Sequence, residues 1–253
     1  MKVTFLGTGT SQGVPVIACE CDVCRSVDTR DKRLRTSAHI EVDGQSIVID
    51  TGPDFRQQML SNDIKKLDAV IFTHEHRDHV AGLDDVRSFN FKQKKPMPIY
   101  GNENVLEFVK KEFHYAFAEK KYPGVPQIDL HRIENRPFSV NSTEIVPVYT
   151  LHHKLPVFGF RIKNFSYITD ANYISKAEKE KLKNSEVLVL NALQHDPHIS
   201  HFTLEQALDL SSELKPGRTY LTHISHKLGK HEEISKLLPE NVYLAHDGLS
   251  LKI

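Results

Sequence analysis

Residues 73–80, THEHRDHV, place three histidines and an aspartate within six positions, directly after the apolar run DAVIF at 68–72. The apolar run has the β-branched and aromatic bias of a strand. His74, His76, Asp78 and His79 therefore fall in the loop at its carboxyl end and in the helix that follows, where α/β architectures collect ligands. On an extended segment, side chains two apart point the same way, which aims His74 and His76 into one cavity. Asp78 and His79 then face that cavity from its other side. Imidazole and carboxylate suit zinc, manganese or iron, and this layout offers ligands to two cations rather than one. A polar loop with one or two histidines needs no special account, but this spacing does.

Working outward, KVTFL near the amino terminus reads as a strand, and AHIEV and SIVID flank Asp43-Gly44, a dipeptide that favours a tight hairpin. EIVPVYTL, VFGFRI, FSYIT, EVLVLN, RTYLTH and VYLAH continue the strand pattern. ENVLEFVKKEFHYAF, SKAEKEKLK, TLEQALDLSSEL and HEEISKLL fit helices, the third opened by a Thr203/Gln206 capping box. Strands outnumber helices and hairpins mix with crossovers, so two sheets packed together with helices outside fit better than one doubly wound sheet. The 253 residues suit a single domain spanning 1–253, long enough to bury about three quarters of its unfolded surface. No internal repeat or linker interrupts it.

Lysine plus arginine equal aspartate plus glutamate at 33 each, so net charge gives no reason to expect nucleic acid or an anionic membrane as partner. FKQKKP and the lysine pairs at 110–111 and 120–121 lack interleaved aromatics and read as solvated surface. MKVTFLGTGT reaches glycine before a secretory apolar region can form, and no apolar run approaches the roughly 18 residues that span a bilayer. A cytoplasmic protein is expected. GTGTSQG lacks the Gly-Lys-Ser/Thr ending of a phosphate-binding loop and reads as a tight turn.

The pattern His74-x-His76-x-Asp78-His79 after an apolar strand, with IDTG at 49–52 upstream, resembles the metallo-β-lactamase superfamily of binuclear metallohydrolases. That resemblance implies an α/β four-layer αββα sandwich, with two mixed sheets flanked by helices. It asks for further ligands at later strand ends, and TLHHKLP, YITDA and YLTHISH nominate His152, Asp170 and His223. His153 competes with His152, which the family spacing favours. By resemblance, His74, His76 and His152 hold one divalent cation, Mn2+ or Zn2+, and Asp78, His79 and His223 hold the other. Asp170 bridges them. Two such cations about 3.5–4 Å apart bring the pKa of a shared water towards about 7 and supply a hydroxide nucleophile. Asp50 reads as the group that orients a ligand histidine, and Asp247 in HDG as a second such group, with a plain turn aspartate the alternative for both.

Cys19, Cys21 and Cys24 lie within six positions, an odd number that disulfide pairing explains poorly. Three thiolates want a fourth ligand for a closed zinc site, and His226 is the candidate. This Cys-x-Cys-x-x-Cys insert after GTGTSQGVP, with THISH near the carboxyl terminus, resembles the phosphoribosyl 1,2-cyclic phosphate phosphodiesterases of phosphonate degradation. The likeness extends over nearly the whole chain. It implies one structural Zn2+ that ties the amino-terminal loop to the loop carrying His223, and a catalytic His201 that donates a proton or stabilises developing charge. Asp78 and Asp170 complete the catalytic set, and His198 is a weaker candidate.

The expectation is thus a binuclear metal-dependent phosphodiesterase acting on a small cyclic or nucleotide-like phosphodiester through a metal-bridged hydroxide, with homodimer formation left open. A thioesterase or lactonase, a protein like those of pyrroloquinoline quinone biosynthesis, and a tRNA 3′-processing nuclease are the alternatives. A zinc-stabilised binding module is the reading outside enzymology.

Overall fold

The computed structural model describes residues 1–253. Strands β1 (Lys2–Gly7), β2 (Ser37–Val42), β3 (Gln45–Ile49), β4 (Ala69–Ile71), β5 (Met97–Gly101) and β6 (Ile128–Arg132) build the first sheet. The second contains β7 (Phe138–Val140), β8 (Thr143–His152), β9 (Leu155–Ile162), β10 (Phe165–Tyr167), β11 (Tyr173–Ile174), β12 (Val187–Asn191), β13 (Arg218–Thr222) and β14 (Val242–Leu244). The last strand, β15 (Ser250–Lys252), returns to the edge of the first sheet beside β1. The orders are β15-β1-β2-β3-β4-β5-β6 and β11-β8-β9-β10-β12-β13-β14, with β7 paired to β8. Along either order, three antiparallel pairings are followed by three parallel ones. The two halves therefore repeat one topology, although the sequence carries no visible repeat.

Helices α1 (Phe55–Ser61), α2 (Arg77–Val80), α3 (Arg87–Gln93), α4 (Glu103–Glu112) and α5 (His114–Phe117) belong to the first half. The second half carries α6 (Lys176–Leu182), α7 (Leu204–Leu214) and α8 (His231–Ser235). Strand alternation sorts the apolar residues into three layers. Ile47, Ile49, Ala69 and Ile71 meet Phe160, Tyr167, Val187 and Val189 between the sheets. Val48, Val70 and Phe72 face Phe55, Phe89 and Val105 on the outer side of the first sheet. Leu188, Leu190 and Leu221 face Leu182, Ala207 and Leu210 outside the second. Both faces of the central strands are buried, which is why DAVIF and VLVL read as continuous apolar runs. Each fully buried large apolar side chain contributes about 1.5–3 kcal/mol, against about 0–1 kcal/mol for an exposed ion pair. These three interfaces hold the αββα sandwich together.

Local chemistry accounts for the joints. Asp43 (φ 50°) and Gly44 (φ 74°) are both left-handed in the β2–β3 hairpin, as the Asp-Gly dipeptide predicts. Thr203 and Gln206 close the capping box of α7. The single helix expected over ENVLEFVKKEFHYAF is two, because Phe113 leaves the helical region (φ −106°, ψ 34°). That turn carries both Phe113 and Ala116 into the outer layer of the first sheet. No helix is long and apolar enough to cross a membrane.

Two buried histidines give the fold an acid-side dependence. Ser46 Oγ donates to the Lys66 carbonyl, so it accepts from His39 Nε2 at 2.7 Å. Burial pulls His39 down to about 4. His231 is held down to about 4 by burial and then by Arg33. An unfolded histidine near 6.5 takes up a proton in a range where these do not. Their contribution is therefore complete above pH 6.5 and is lost as pH falls towards 4, by up to about 1.4 kcal/mol per pH unit for each. Thermal melts between pH 7 and pH 4.5 should show this fall, and His39→Gln should flatten it.

Candidate metal centre

The carboxyl ends of β3, β4, β10 and β13 and the β8–β9 hairpin meet at one end of the sandwich. After β3, β10 and β13 one non-glycine residue each is left-handed: Asp50 (φ 62°), Asp170 (φ 52°) and His223 (φ 54°). Such backbone is held only where the surroundings over-determine it, and each of these turns brings its side chain into the cluster. Gly52 serves the same end differently. A Cβ there would lie 2.1 Å from the Asp78 carbonyl oxygen, so only glycine lets α2 sit against the loop after β3.

Within the cluster, the His74 ring lies 4.5 Å from His76 and 5.8 Å from His152, with His76 and His152 5.2 Å apart. Across from this triangle, His79 Nε2 lies 3.3 Å from both Asp78 Oδ2 and Asp170 Oδ2. His223 Nε2 lies 3.0 Å from Asp170 Oδ1. Donor atoms of His74, His79 and Asp170 lie within 4.8 Å of one another, as do those of Asp78, His79 and His223, and those of His152, Asp170 and His201. Asp170 thus stands between the two groups. His201 stacks on His223 at 4.7 Å and meets His152 edge-on at 4.5 Å.

Asp50 sets the tautomers. Its Oδ2 accepts from His79 Nδ1 at 2.7 Å and from Thr73 Oγ1 at 2.8 Å. Because Thr73 Oγ1 spends its proton on Asp50, it accepts from His74 Nδ1 at 3.0 Å. His152 Nδ1 donates to the Ser200 carbonyl at 2.9 Å. All three imidazoles are therefore fixed to present Nε2 lone pairs inward, the arrangement of metal-binding histidines.

The buried Nε2 atom of His74 has no hydrogen-bond partner in the protein, and those of His79 and His223 meet only carboxylate oxygens, at 3.3 and 3.0 Å. An unpartnered buried nitrogen beside clustered carboxylates costs free energy that a cation would recover, so the donor set fits divalent metal. Without one, the charges lean on each other. Burial pushes Asp170 up, but His223 and His79 outweigh it and hold the carboxyl well below the usual range. Burial likewise opposes a charged His79, yet Asp170, Asp78 and Asp50 raise it well above the ordinary histidine value. His201 differs: burial and then His223 pull it down to about 2, leaving it neutral.

On the flank of this cluster, His226 Nδ1 lies 3.2, 3.4 and 3.5 Å from the sulfurs of Cys19, Cys21 and Cys24. Zn–S of about 2.3 Å and Zn–N of about 2.0 Å at a tetrahedral angle imply N···S of about 3.5 Å, so these four groups also fit one zinc ion. The Cys24 backbone N–H, first among several donors, lowers Cys21 to about 6, while burial raises Cys24 to about 11. His226 follows His223 by three residues, and Ile224 N–H donates to the Thr8 carbonyl at 2.9 Å. The Cys loop and the amino-terminal turn therefore grip the segment that carries His223.

Residues 45–224 match the family profile described as a β-lactamase superfamily domain. The chain belongs to the metallo-β-lactamase superfamily. A crystal structure of a diphosphatase from the PhnP family superposes with a TM-score of 0.93 at 41% identity, over 99% of this chain and 96% of that one. An octanoyltransferase of Porphyromonas gingivalis is 40% identical over 98% of this chain but only 51% of its own length. A ribonuclease Z of Staphylococcus saprophyticus is 28% identical over 64% of this chain and 49% of its own. The chain thus spans about half the length of these two curated relatives. It has the metallo-β-lactamase fold and carries candidate metal-ligand clusters.

Every cluster residue nominated from this superfamily member's sequence reaches the same end of the sandwich, with differing intimacy. His76 stays exposed and His74 is fully buried. His153 is exposed at the hairpin turn with φ 57°, which leaves His152 facing the cluster. His198 is exposed, 5.0 Å from His201, and accepts weakly from Ser200. Asp247 orients no cluster histidine. Its carboxylate accepts from Thr8 Oγ1 at 2.7 Å and Leu34 N–H at 2.6 Å, so it pins the amino-terminal turn instead. Thr73 and Ser200, which fix His74 and His152, escaped the sequence reading, although a threonine directly before His-x-His was the available signal.

Proposed function

We propose that this chain is a binuclear metal-dependent phosphodiesterase. His74, His76 and His152 would hold one divalent cation, Asp78, His79 and His223 the other, with Asp170 between them, and Cys19, Cys21, Cys24 and His226 would hold a zinc ion. A bound cation pair supplies Lewis-acid activation of water and of phosphoryl oxygen. The observation that carries the phosphoester reading is the likeness to a PhnP-family diphosphatase along essentially all of both chains.

The chain's own residues have separable tasks. Asp50 holds His74, through Thr73, and His79 in their inward tautomers. Asp170 balances charge across the cluster. His201 acts on the departing oxygen. Neutral at first, it gains proton affinity when an anionic phosphoryl group approaches, since a nearby negative charge favours imidazolium; it takes a proton from solvent water and passes it to the departing alkoxide, returning to the neutral form. His201→Ala should leave cation content unchanged and slow turnover by about a hundredfold, read from steady-state rates beside elemental analysis.

Bis(p-nitrophenyl) phosphate, an octanoyl thioester and a lactone, assayed together with manganese and with zinc, test the substrate class. Turnover of the phosphodiester supports the proposal, and turnover confined to the carbonyl compounds overturns it. Acyl-thioester hydrolysis is the second reading, favoured by the relative named octanoyltransferase.

A further inference from the structure

Residues 195–199, which lead from β12 to the buried His201, are exposed in succession, Ile199 by 68%. Two hydrogen bonds tie this run to the rest of the protein. His195 Nε2 donates to the Leu228 carbonyl at 2.9 Å, and Asn172 Nδ2 donates to the Ile199 carbonyl at 3.0 Å. The same amide reaches a second loop. Asn172 Oδ1 accepts from the His153 backbone N–H at 2.8 Å, at the left-handed turn directly after His152. These partners fix the orientation of the amide, because a backbone N–H can meet only its oxygen and a carbonyl only its nitrogen.

The base from which Asn172 reaches is itself held. Asn191, fully buried at the end of β12, uses its side chain on both backbone groups of Ala171, accepting from the N–H at 2.9 Å and donating to the carbonyl at 3.0 Å. Phe202 N–H donates to that carbonyl at 2.8 Å, and Asn172 N–H donates to the Leu151 carbonyl at 2.9 Å. Both loops carry a functional group beside the bonded atom. His153 follows His152, and Ile199 precedes Ser200, whose carbonyl accepts from His152 Nδ1 at 2.9 Å, and then His201. The His152 and His201 rings meet edge-on at 4.5 Å. An exposed segment with so few bonds opens locally at little cost, so losing the Asn172 amide would loosen the support of both imidazoles together.

We propose that Asn172 is a positioning residue whose one amide sets the spacing between the turn after His152 and the loop before His201. It steadies the tautomer of the first imidazole and the reach of the second. This rests on the reading above of His152 as a ligand and His201 as the proton donor.

Asn172→Ala separates this role from a merely structural one. Because Asn172 is only half-buried, the Tm of the metal-free protein should fall by no more than about 4 °C. Manganese affinity, measured by calorimetry on the purified full-length chain, should weaken by roughly tenfold. With bis(p-nitrophenyl) phosphate, kcat should fall by about tenfold with KM little changed, since a misplaced catalytic group is missed in the transition state. Asn172→Asp keeps the acceptor for His153 and loses only the donor to Ile199. It should show the same fall in kcat, and it stands as the test if the alanine variant does not fold. A lowered Tm with wild-type manganese affinity and wild-type kcat would reduce Asn172 to a surface staple and overturn the proposal. Failure of the wild-type protein itself to bind manganese or to turn over the diester would instead overturn the underlying reading.

Discussion

Asp170→Asn should strip the cage of its paired cations and reduce turnover by on the order of a thousandfold or more. Asp170 is the only carboxylate within reach of both halves, since its two oxygens face His79 and His223 and it groups separately with His74 and with His152. Asparagine keeps the shape and removes the charge. A bound cation pair contributes several kcal/mol of transition-state stabilisation, and each 1.36 kcal/mol is a factor of ten. Elemental analysis after dialysis against micromolar manganese should find at most one cage cation per chain where the wild type holds two. The same variant disturbs the metal-free protein, because the His79 and His223 imidazoles lose their counter-charge. A variant that kept two cations and wild-type rate would show that Asp170 is not the bridge.

Cys24→Ser should lower Tm by about 10 °C or more and reduce activity with it. Cys24 is the buried member of the thiol set, so serine cannot be exchanged for water there. A structural zinc contributes its binding free energy to folding, and for a chain of this size each kcal/mol lost moves Tm by about 2–4 °C. Activity should fall because His226 and His223 share one short segment, which the Cys loop holds against Thr8. Calorimetric melts with thiol titration check this. A melt within 2 °C of wild type would mean that the four groups hold no ion.

The sequence made the chemistry more legible than the architecture around it. The candidate ligand histidines and aspartates stand out because they lie at the ends of apolar strands, where such architectures collect ligands. The Asp-Gly hairpin and the Thr203/Gln206 cap are local motifs, and local motifs need no tertiary information. Other elements were hidden for physical reasons. RSFNFKQ forms α3, yet Phe89 and Phe91 two apart mimic a strand, and only the fold decides that Phe89 is buried while Phe91 is 60% exposed. MPIYG contains a proline and IDLHR is only partly buried at the sheet edge, so neither β5 nor β6 shows the apolar run of a central strand. Asp247 was read as a possible partner of a ligand histidine because acids near such loops often are. Its true partners, Thr8 and Leu34, lie more than 200 residues away in sequence, where no local pattern reaches.

The central claim is that the imidazoles and carboxylates gathered around Asp170 form a cage for two cations. Anomalous diffraction at the manganese edge, from crystals grown with excess manganese, tests it most directly. Two peaks about 3.5–4 Å apart, flanking Asp170 and facing the Nε2 atoms of His74 and His79, are predicted. Density without any anomalous peak in the cage at saturating manganese would contradict it.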